Sequence, residues 1–146
     1  MSFGASSAVA LPKLTAGQKI GLPASSQPGL IVAIRTSSQA GFDRLVFQFR
    51  SHRPGYRVRY VTQVRGDASG LPVPLKGSSF LAISFSPSRS LAPAAISTPG
   101  YPILRQLAPA GDFEQVVSFG AGLSKQRPFR VFTLRAPQRI VIDIAH

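Results

Sequence analysis

The sequence predicts an all-β fold, either a sandwich or a barrel, and three observations support this prediction. Short runs of β-branched and aromatic residues alternate with polar residues, as expected of strands that bury one face. Clusters of Gly, Pro and Ser separate these runs at the short intervals that are typical of sandwiches and barrels. The chain has 146 residues, which suits one domain that buries roughly two thirds of its unfolded surface.

Eight runs after residue 29 have the composition and period of strands. The clearest alternation is in the second run, where Leu45, Phe47 and Phe49 share one face and Arg44 and Gln48 the other. The predicted strands are residues 30–35, 42–50, 56–64, 79–86, 103–107, 115–119, 129–134 and 139–144. The predicted core is Leu45, Phe47, Phe49, Val58, Phe132, Leu134, Ile140, Ile142 and Ile144.

Three segments lack this pattern. Residues 1–29 are rich in Ser, Ala, Gly and Pro and are predicted to be a flexible N-terminal arm, which precedes a domain over residues 30–146. Residues 86–101 contain several prolines, which cannot donate a backbone hydrogen bond, so a long crossover loop is expected there. Residues 109–114 are expected to hold one helical turn at most.

The charge is strongly unbalanced. Seventeen Lys and Arg stand against five Asp and Glu, which gives a formal net charge of +12. A surface with this field favours a polyanion or an anionic surface as partner. Thirteen of the basic residues are Arg, which suits bidentate recognition of carboxylate or phosphate. The alternative is that the arginines bind no ligand: they reflect a GC-rich genome and protect exposed strand edges from pairing.

No metal, cofactor or catalytic centre is expected. The chain has no Cys, and its two histidines are His52, in a turn between arginines, and His146, the last residue. A catalytic zinc needs three protein ligands and an open position, which this composition does not offer. No Gly-x-Ser-x-Gly elbow occurs, and Gly120-Ala121-Gly122 lacks the lysine and helix of a phosphate loop, so it is interpreted as a flexible turn.

The five acidic residues are scattered and do not suggest a paired-carboxylate mechanism. Asp43 and Asp143 are interpreted as ion-pair partners of nearby arginines or as acceptors at strand ends, because an Asp in an apolar strand needs donors to offset its desolvation. Asp112 and Glu114 are interpreted as caps of a turn.

Three segments carry a resemblance to a known family. Residues 41–49 (GFDRLVFQF), 54–61 (PGYRVRYV) and 136–146 (APQRIVIDIAH) resemble the AMIN-like domain of bacterial cell-envelope proteins, the peptidoglycan-binding AMIN family. The resemblance covers about residues 30–146. It implies a small sandwich of two facing sheets that binds peptidoglycan and helps to place a partner enzyme or secretin at the wall. AMIN-containing amidases keep their catalysis in a separate domain, so the resemblance implies a module that is not an enzyme.

The predicted function is that of a non-catalytic cell-envelope binding module. Its basic face is expected to meet peptidoglycan carboxylates, teichoic-type phosphates or acidic glycans, with envelope proteins or copies of itself as further partners. Most of the residues predicted to bind the anionic ligand lie on one expected hairpin, residues 42–61, and one lies on the C-terminal hairpin. They are Arg44, Arg50, Arg53, Arg57, Arg59 and Arg130.

Two other functions are open at this point. A nucleic-acid-binding β domain is one, although Tyr56 and Tyr60 alternate away from Arg57 and Arg59, which separates stacking from charge. A structural or assembly subunit is the other, with the arm docking on a neighbouring copy by strand addition. The expected location is the cell envelope or the extracellular space. No run of about 18 apolar residues predicts a membrane span, and the first ten residues lack the features of an export signal, which leaves a cytoplasmic location open.

Overall fold

The computed structural model describes residues 10–92 and 95–146, and in these residues all regular structure is β-strand. The strands form two sheets, of six and five strands, whose apolar faces pack against each other. The predicted all-β sandwich is confirmed, with eleven strands in place of eight. The strands are β1 (Lys19–Gly21), β2 (Gly29–Gln39), β3 (Phe42–Arg50), β4 (Gly55–Val61), β5 (Ser79–Ser86), β6 (Ser88–Ser90), β7 (Ile96–Ser97), β8 (Leu104–Phe113), β9 (Val116–Leu123), β10 (Phe129–Leu134) and β11 (Gln138–Ala145).

The chain passes repeatedly from one sheet to the other. The six-stranded sheet has the order β1-β4-β5-β9-β8-β7, and the five-stranded sheet has the order β10-β11-β3-β2-β6. All pairs of neighbouring strands are antiparallel except β2 and β6. The expected C-terminal hairpin is confirmed as β10 and β11, with Phe129 opposite Ile144 and Leu134 opposite Arg139.

The expected hairpin over residues 42–61 is wrong. Strand β3 pairs with β2 on one side and β11 on the other, so no edge of β3 is free for β4. Residues 51–54 instead carry the chain from one sheet to the other, and Ser51 turns it with a φ of 76°. This crossing lets Phe49 and Val58 bury their side chains in one shared core.

The core lies between the sheets and is built around phenylalanines. Phe47 of β3 contacts Phe85 and Phe119 of the opposite sheet, with ring centroids 4.8 and 5.2 Å apart. Tilted and edge-on aromatic pairs of this kind add to the stabilisation from burial alone. The predicted core residues that are buried are Leu45, Phe47, Phe49, Val58, Ile140, Ile142 and Ile144.

Phe132 and Leu134 correct the predicted core. Phe132 is only partly buried and Leu134 is 37% exposed, whereas Phe129 and Val131 fill the inner face of β10. Strand β10 carries apolar residues on both faces, so its period alone did not show which face turns inward. The outward position of Phe132 places it opposite Val141 of β11.

Part of the predicted N-terminal arm is a strand. Strand β1 pairs with the edge of β4, where Lys19 lies opposite Val58, and Thr15 exchanges backbone hydrogen bonds with Phe129. A strand of three residues that ends in Gly gives too short a pattern to recognise in the sequence. Residues 1–9 lie outside the described residues. The division of the chain at residue 29 stays a prediction.

The predicted crossover over residues 86–101 contains two short edge strands, β6 and β7, one in each sheet. Edge strands tolerate proline because one side of the backbone makes no ladder hydrogen bonds. The segment therefore links the two sheets, although residues 93–94 lie outside the described residues. Residues 109–113, where one helical turn at most was expected, belong to β8, which has an irregularity between Pro109 and Gly111.

The glycine cluster is inside β9 and is not the flexible turn that was predicted. Gly120 and Gly122 face outward, and the connection between β4 and β5, residues 62–78, folds back over them. A Cβ on Gly120 would lie 2.8 Å from Val64 and Leu75, and one on Gly122 would overlap the Lys76 carbonyl oxygen. The missing side chains let this connection lie directly on the sheet.

Truncation of the core tests the assigned inner faces. Phe47→Ala or Ile142→Ala removes a fully buried side chain, so each should lower the free energy of unfolding by roughly 2–5 kcal/mol through lost burial and a residual cavity. Urea unfolding followed by circular dichroism measures this loss. Phe113→Ala is the matched control, because Phe113 is 63% exposed and its truncation should change the stability by about 0.5 kcal/mol or less. A loss below about 1 kcal/mol for Phe47→Ala would contradict the assignment.

Candidate functional site

The structure does not bring the six predicted arginines onto one surface. Those on β3 and β10 belong to the five-stranded sheet, and those on β4 belong to the six-stranded sheet on the far side of the core. The remaining one lies in the crossover between β3 and β4. In the five-stranded sheet are Arg44, Arg50 and Arg130, in the six-stranded sheet are Arg57 and Arg59, and in the crossover is Arg53.

Arg44 and Arg130 are held by one carboxylate. The register places Asp143 of β11 directly between them. Arg44 donates from Nε and Nη2 to the two oxygens of Asp143, at 2.7 and 3.0 Å, and Arg130 donates from Nε at 2.9 Å. Asp143 is fully buried, which confirms its interpretation as an ion-pair partner. Its hydrogen bond raises the pKa of Arg44 above the usual value, so this guanidinium stays charged.

Aromatic rings also contact the same two guanidinium groups. The Phe42 ring centroid lies 5.0 Å from the Arg44 guanidinium carbon and 5.1 Å from that of Arg130. Phe132 lies 5.5 Å from Arg44. Cation–π contacts at these distances stabilise the stacked arrangement. Arg44 and Arg130 therefore already have partners on this outer face.

Asp43 is a second buried carboxylate, and it points inward. It accepts hydrogen bonds from the backbone N–H groups of Ile103 and Leu104, both at 2.8 Å, and from Ser38 Oγ at 2.6 Å. His146 Nε2 lies 2.8 Å from its Oδ1. Burial acts to raise the pKa of Asp43, but the hydrogen bonds outweigh this and the pKa lies below its usual value. This carboxylate joins β3 to the start of β8 and to the end of β11.

The Ser38, Asp43 and His146 group does not have the geometry of a catalytic triad. Both Ser38 Oγ and His146 Nε2 contact the same oxygen of Asp43, so the carboxylate stands in the middle. A triad needs the imidazole between the nucleophile and the acid, because the imidazole must accept the proton of the nucleophile. The three residues therefore form a structural cluster at this end of the sandwich.

Arg53 and Arg50 lie near the crossover. Arg53 donates from Nη1 to the carbonyl oxygens of Leu22 and Pro54, both at 3.2 Å, and so ties the crossover to the chain before β2. Arg50 is exposed at the end of β3. Neither lies in an ion pair among the described residues.

Arg57 and Arg59 occupy the outer face of the six-stranded sheet. Both are exposed, whereas Val58 between them is in the core. The next strand places Ser84 opposite Arg57 and Ala82 opposite Arg59. Because these side chains are small, the two guanidinium groups project beyond the neighbouring strand. In the described residues neither arginine is within ion-pair distance of a carboxylate, and Arg57 donates only to a glutamine, Gln18 Oε1, at 2.9 Å.

A cavity of about 280 Å³ opens beside Arg59. One wall is β4, the floor includes Ala82 and Ser118, and the opposite wall is the connection over residues 62–78, which contributes Gln63, Arg65 and Asp67. We call this space the β4 cavity. Sequence reasoning missed Arg65 and Asp67 because they lie in a connection without periodicity. The glycines of β9 were the available signal, since a strand bare of side chains implies that another segment covers it.

A larger cavity of about 620 Å³ lies beside β6 and the turn between β8 and β9. It is lined by one basic residue, Arg89, and by the acids Asp112 and Glu114. Asp112 Oδ2 accepts a hydrogen bond from the Ser90 backbone at 3.2 Å, and Glu114 has a positive φ of 49° in the turn. This mixture of charges does not favour an anionic ligand.

The sequence model of the AMIN-like domain family matches residues 29–146, which is most of the chain. The chain belongs to the AMIN-like domain family. The resemblance carried by the β3, β4 and β11 segments is therefore confirmed. AMIN-like domains occur in cell-envelope proteins, where they are generally non-catalytic binding or targeting modules. No curated protein matches the chain in sequence.

The described part of this AMIN-like domain contains no group of three His, Cys, Asp or Glu residues that is arranged to hold a metal ion. The expectation that the domain has neither a metal nor catalytic activity stays a prediction. Between residues 10 and 146, leaving aside 93–94, no helix has the length and apolar character needed to cross a membrane.

The AMIN-like domain should lose stability in acid through Asp43. Because its pKa is lower in the folded than in the unfolded state, Asp43 contributes stability above the usual carboxyl pKa, and this contribution is lost as the pH falls through the folded pKa. Asp43→Asn should lower the free energy of unfolding at about pH 7 by about 3 kcal/mol, because donors aimed at the carboxylate lose their ionised acceptor. The variant should also show a shallower loss of stability below about pH 4.

Urea unfolding at a series of pH values measures both effects, and Asp112→Asn is the control because Asp112 is exposed. The control should follow the parent at every pH. A variant at Asp43 that loses stability in acid as steeply as the parent would show that this carboxylate does not carry the pH dependence.

Proposed function

We propose that this AMIN-like domain is a non-catalytic envelope module that binds peptidoglycan or another anionic wall polymer through the outer face of its six-stranded sheet. The observation that carries the proposal is the pair Arg57 and Arg59, exposed on one face of β4 without a carboxylate partner among the described residues. Side chains two residues apart on a strand lie about 7 Å apart, close enough to hold neighbouring anionic groups of one polymer.

The arrangement of this face suits a long anionic ligand. The low surface of Ala82 and Ser84 beside the arginines leaves room for a chain to approach the sheet. Guanidinium groups bind carboxylate and phosphate in a bidentate manner, and the overall charge of +12 draws polyanions toward the surface. Peptidoglycan carboxylates, teichoic-type phosphates and acidic glycans all present such groups.

The other predicted arginines support this face less well. The charges of Arg44 and Arg130 are already engaged by Asp143, and a ligand would have to compete with a buried carboxylate. Arg53 is bonded to backbone carbonyl groups. Arg50 is exposed and stays a candidate contact at the end of β3. We therefore place the principal contacts on β4.

Binding of nucleic acid by base stacking is less well supported. Tyr56 and Tyr60 pack against the core, on the side of β4 opposite Arg57 and Arg59. The Tyr60 hydroxyl donates to the Arg127 carbonyl at 2.6 Å and accepts from the Arg127 backbone N–H at 2.9 Å. Burial raises the pKa of Tyr60, which keeps the hydroxyl protonated. Neither ring is available as a stacking platform.

Assembly by strand addition is also less well supported. The edge of β4 that an arm from another copy would use is occupied by β1 of the same chain. Copies of the domain and other envelope proteins are further partners in this proposal, at other surfaces. The location that agrees with this proposal is the cell envelope or the extracellular space.

Loss of the two β4 arginines should weaken binding to the wall. The double variant Arg57→Ala with Arg59→Ala should bind purified peptidoglycan roughly tenfold less tightly than the parent at low salt, because two charge-assisted contacts are lost. The affinity of the parent should fall steeply between about 50 and about 500 mM NaCl, and that of the variant less steeply. Sedimentation with cell wall measures both, and circular dichroism checks that the fold is retained.

The matched control is Arg35→Ala with Arg135→Ala, which removes the same charge from exposed positions of β2 and of the turn between β10 and β11. It should weaken binding by less than about threefold. Equal losses in the two double variants would mean that only the net charge matters. An unchanged affinity in the β4 variant would mean that this face is a solvated strand surface.

A further inference from the structure

The β4 cavity presents both signs of charge. Arg59 and Arg65 line it together with one carboxylate, Asp67, and one hydroxyl, Ser118. Asp67 is within 4.0 Å of neither guanidinium group, since among the described residues ion pairs form only at Asp43 and Asp143. The opposite charges therefore share one open space without neutralising each other.

The Asp67 carboxylate is held in a fixed position. Its backbone N–H donates to the Ala110 carbonyl at 2.8 Å, and Ser118 Oγ donates to its Oδ2 at 2.6 Å. The side chain lies over Gly111, where a Cβ would stand 2.8 Å from the Asp67 carboxyl carbon. Its other oxygen, Oδ1, accepts no hydrogen bond from the described residues. One acceptor is thus oriented by its surroundings and open to a ligand.

The basic side of the cavity is also partly fixed. Arg65 donates from Nη1 to the Gly70 carbonyl at 2.9 Å, which holds its guanidinium group at the mouth of the connection over residues 62–78. Arg65 and Arg59 both line the cavity, and each guanidinium group has further N–H donors. A planar guanidinium is suited to a carboxylate, and the Asp67 oxygen is suited to an ammonium group.

We propose that the β4 cavity binds a zwitterionic amino-acid group, one that carries an ammonium and a carboxylate on the same carbon. Arg59 and Arg65 hold the carboxylate, and Asp67 Oδ1 accepts from the ammonium. The free end of a diamino acid in a wall peptide has this chemistry. The proposal rests on the proposed function, and it makes the β4 cavity the subsite that distinguishes peptide ends from simple anions.

The presence of Asp67 is what selects the ligand class. A phosphate or a lone carboxylate in the cavity would be repelled by this carboxylate as well as attracted by the arginines. A zwitterion removes that repulsion, because its ammonium lies against Asp67 and its carboxylate lies against the guanidinium groups. The cavity of about 280 Å³ has room for one such group and the start of its side chain.

The probe that tests this is a soluble tetrapeptide with an acetylated N-terminus, whose third residue is diaminopimelic acid with a free side-chain amine, compared with the same peptide acetylated at that amine as well. The parent domain should bind the free-amine peptide roughly fivefold more tightly than the acetylated one, measured by NMR titration. The largest shifts should fall on amides near Asp67 and Ser118. Equal affinity of the parent for both peptides would overturn the proposal without the need for any variant.

Asp67→Asn should abolish the preference for the free amine, because it removes the charge and retains the shape. Asp112→Asn is the matched control, an exposed Asp of β8 that does not line the β4 cavity, and it should keep the preference. A preference that survives in Asp67→Asn would also overturn the proposal. The sedimentation of the Arg57 and Arg59 double variant is a separate result: wall binding that depends on β4, with no amine preference, would leave the proposed function standing and remove this inference alone.

Discussion

Strand β11 is buried on both faces, and much of the surface chemistry depends on this constraint. Its inner side chains, Ile140 and Ile142 among them, fill the core, while Val141 and Asp143 are covered on the outer face. A buried carboxylate is tolerated only with donors that offset its desolvation, and β3 and β10 each supply one guanidinium. Two of the predicted binding arginines are therefore part of the fold. Of the six, Arg57 and Arg59 lie on the other sheet and have no carboxylate partner among the described residues.

The outer face of the six-stranded sheet depends on two glycines of β9. Because Gly120 and Gly122 have no side chains, the connection over residues 62–78 rests on the sheet, and its Arg65 and Asp67 form a wall facing Arg59. A side chain at Gly122 would push the Lys76 backbone away from the sheet. A packing requirement in one strand thus brings three charged groups, one from β4 and two from the connection, around a single space.

The alternation along β3 was sufficient to predict this strand and its inner residues, because that pattern follows from one strand burying one face. The apolar run of β11 predicted a strand, and the paired role of Asp143 followed from the need of a carboxylate in an apolar strand for donors. The partner of β4 was not predictable in this way. Neighbouring strands in sequence often pair, but the choice between a hairpin and a crossover depends on which edges other strands already occupy. The inner face of β10 was not predictable from its sequence either. Phe132 and Val131 are both apolar, and the packing against β11 decides which of them turns inward. Arg65 and Asp67 were out of reach because their position depends on that tertiary packing.

The distribution of the five acids strengthens the case that Asp67 has a use. Asp43 and Asp143 are fully buried and serve the fold, which leaves Asp67, Asp112 and Glu114 as the exposed acids. On a surface that carries so large an excess of basic groups, an exposed acid weakens the attraction for polyanions. Asp112 has a structural role, because its carboxylate accepts a hydrogen bond from the Ser90 backbone N–H. Asp67 has one oxygen without a hydrogen bond in a cavity that two arginines also line. This arrangement weakens the binding of a simple anion and strengthens the binding of a ligand with an ammonium group.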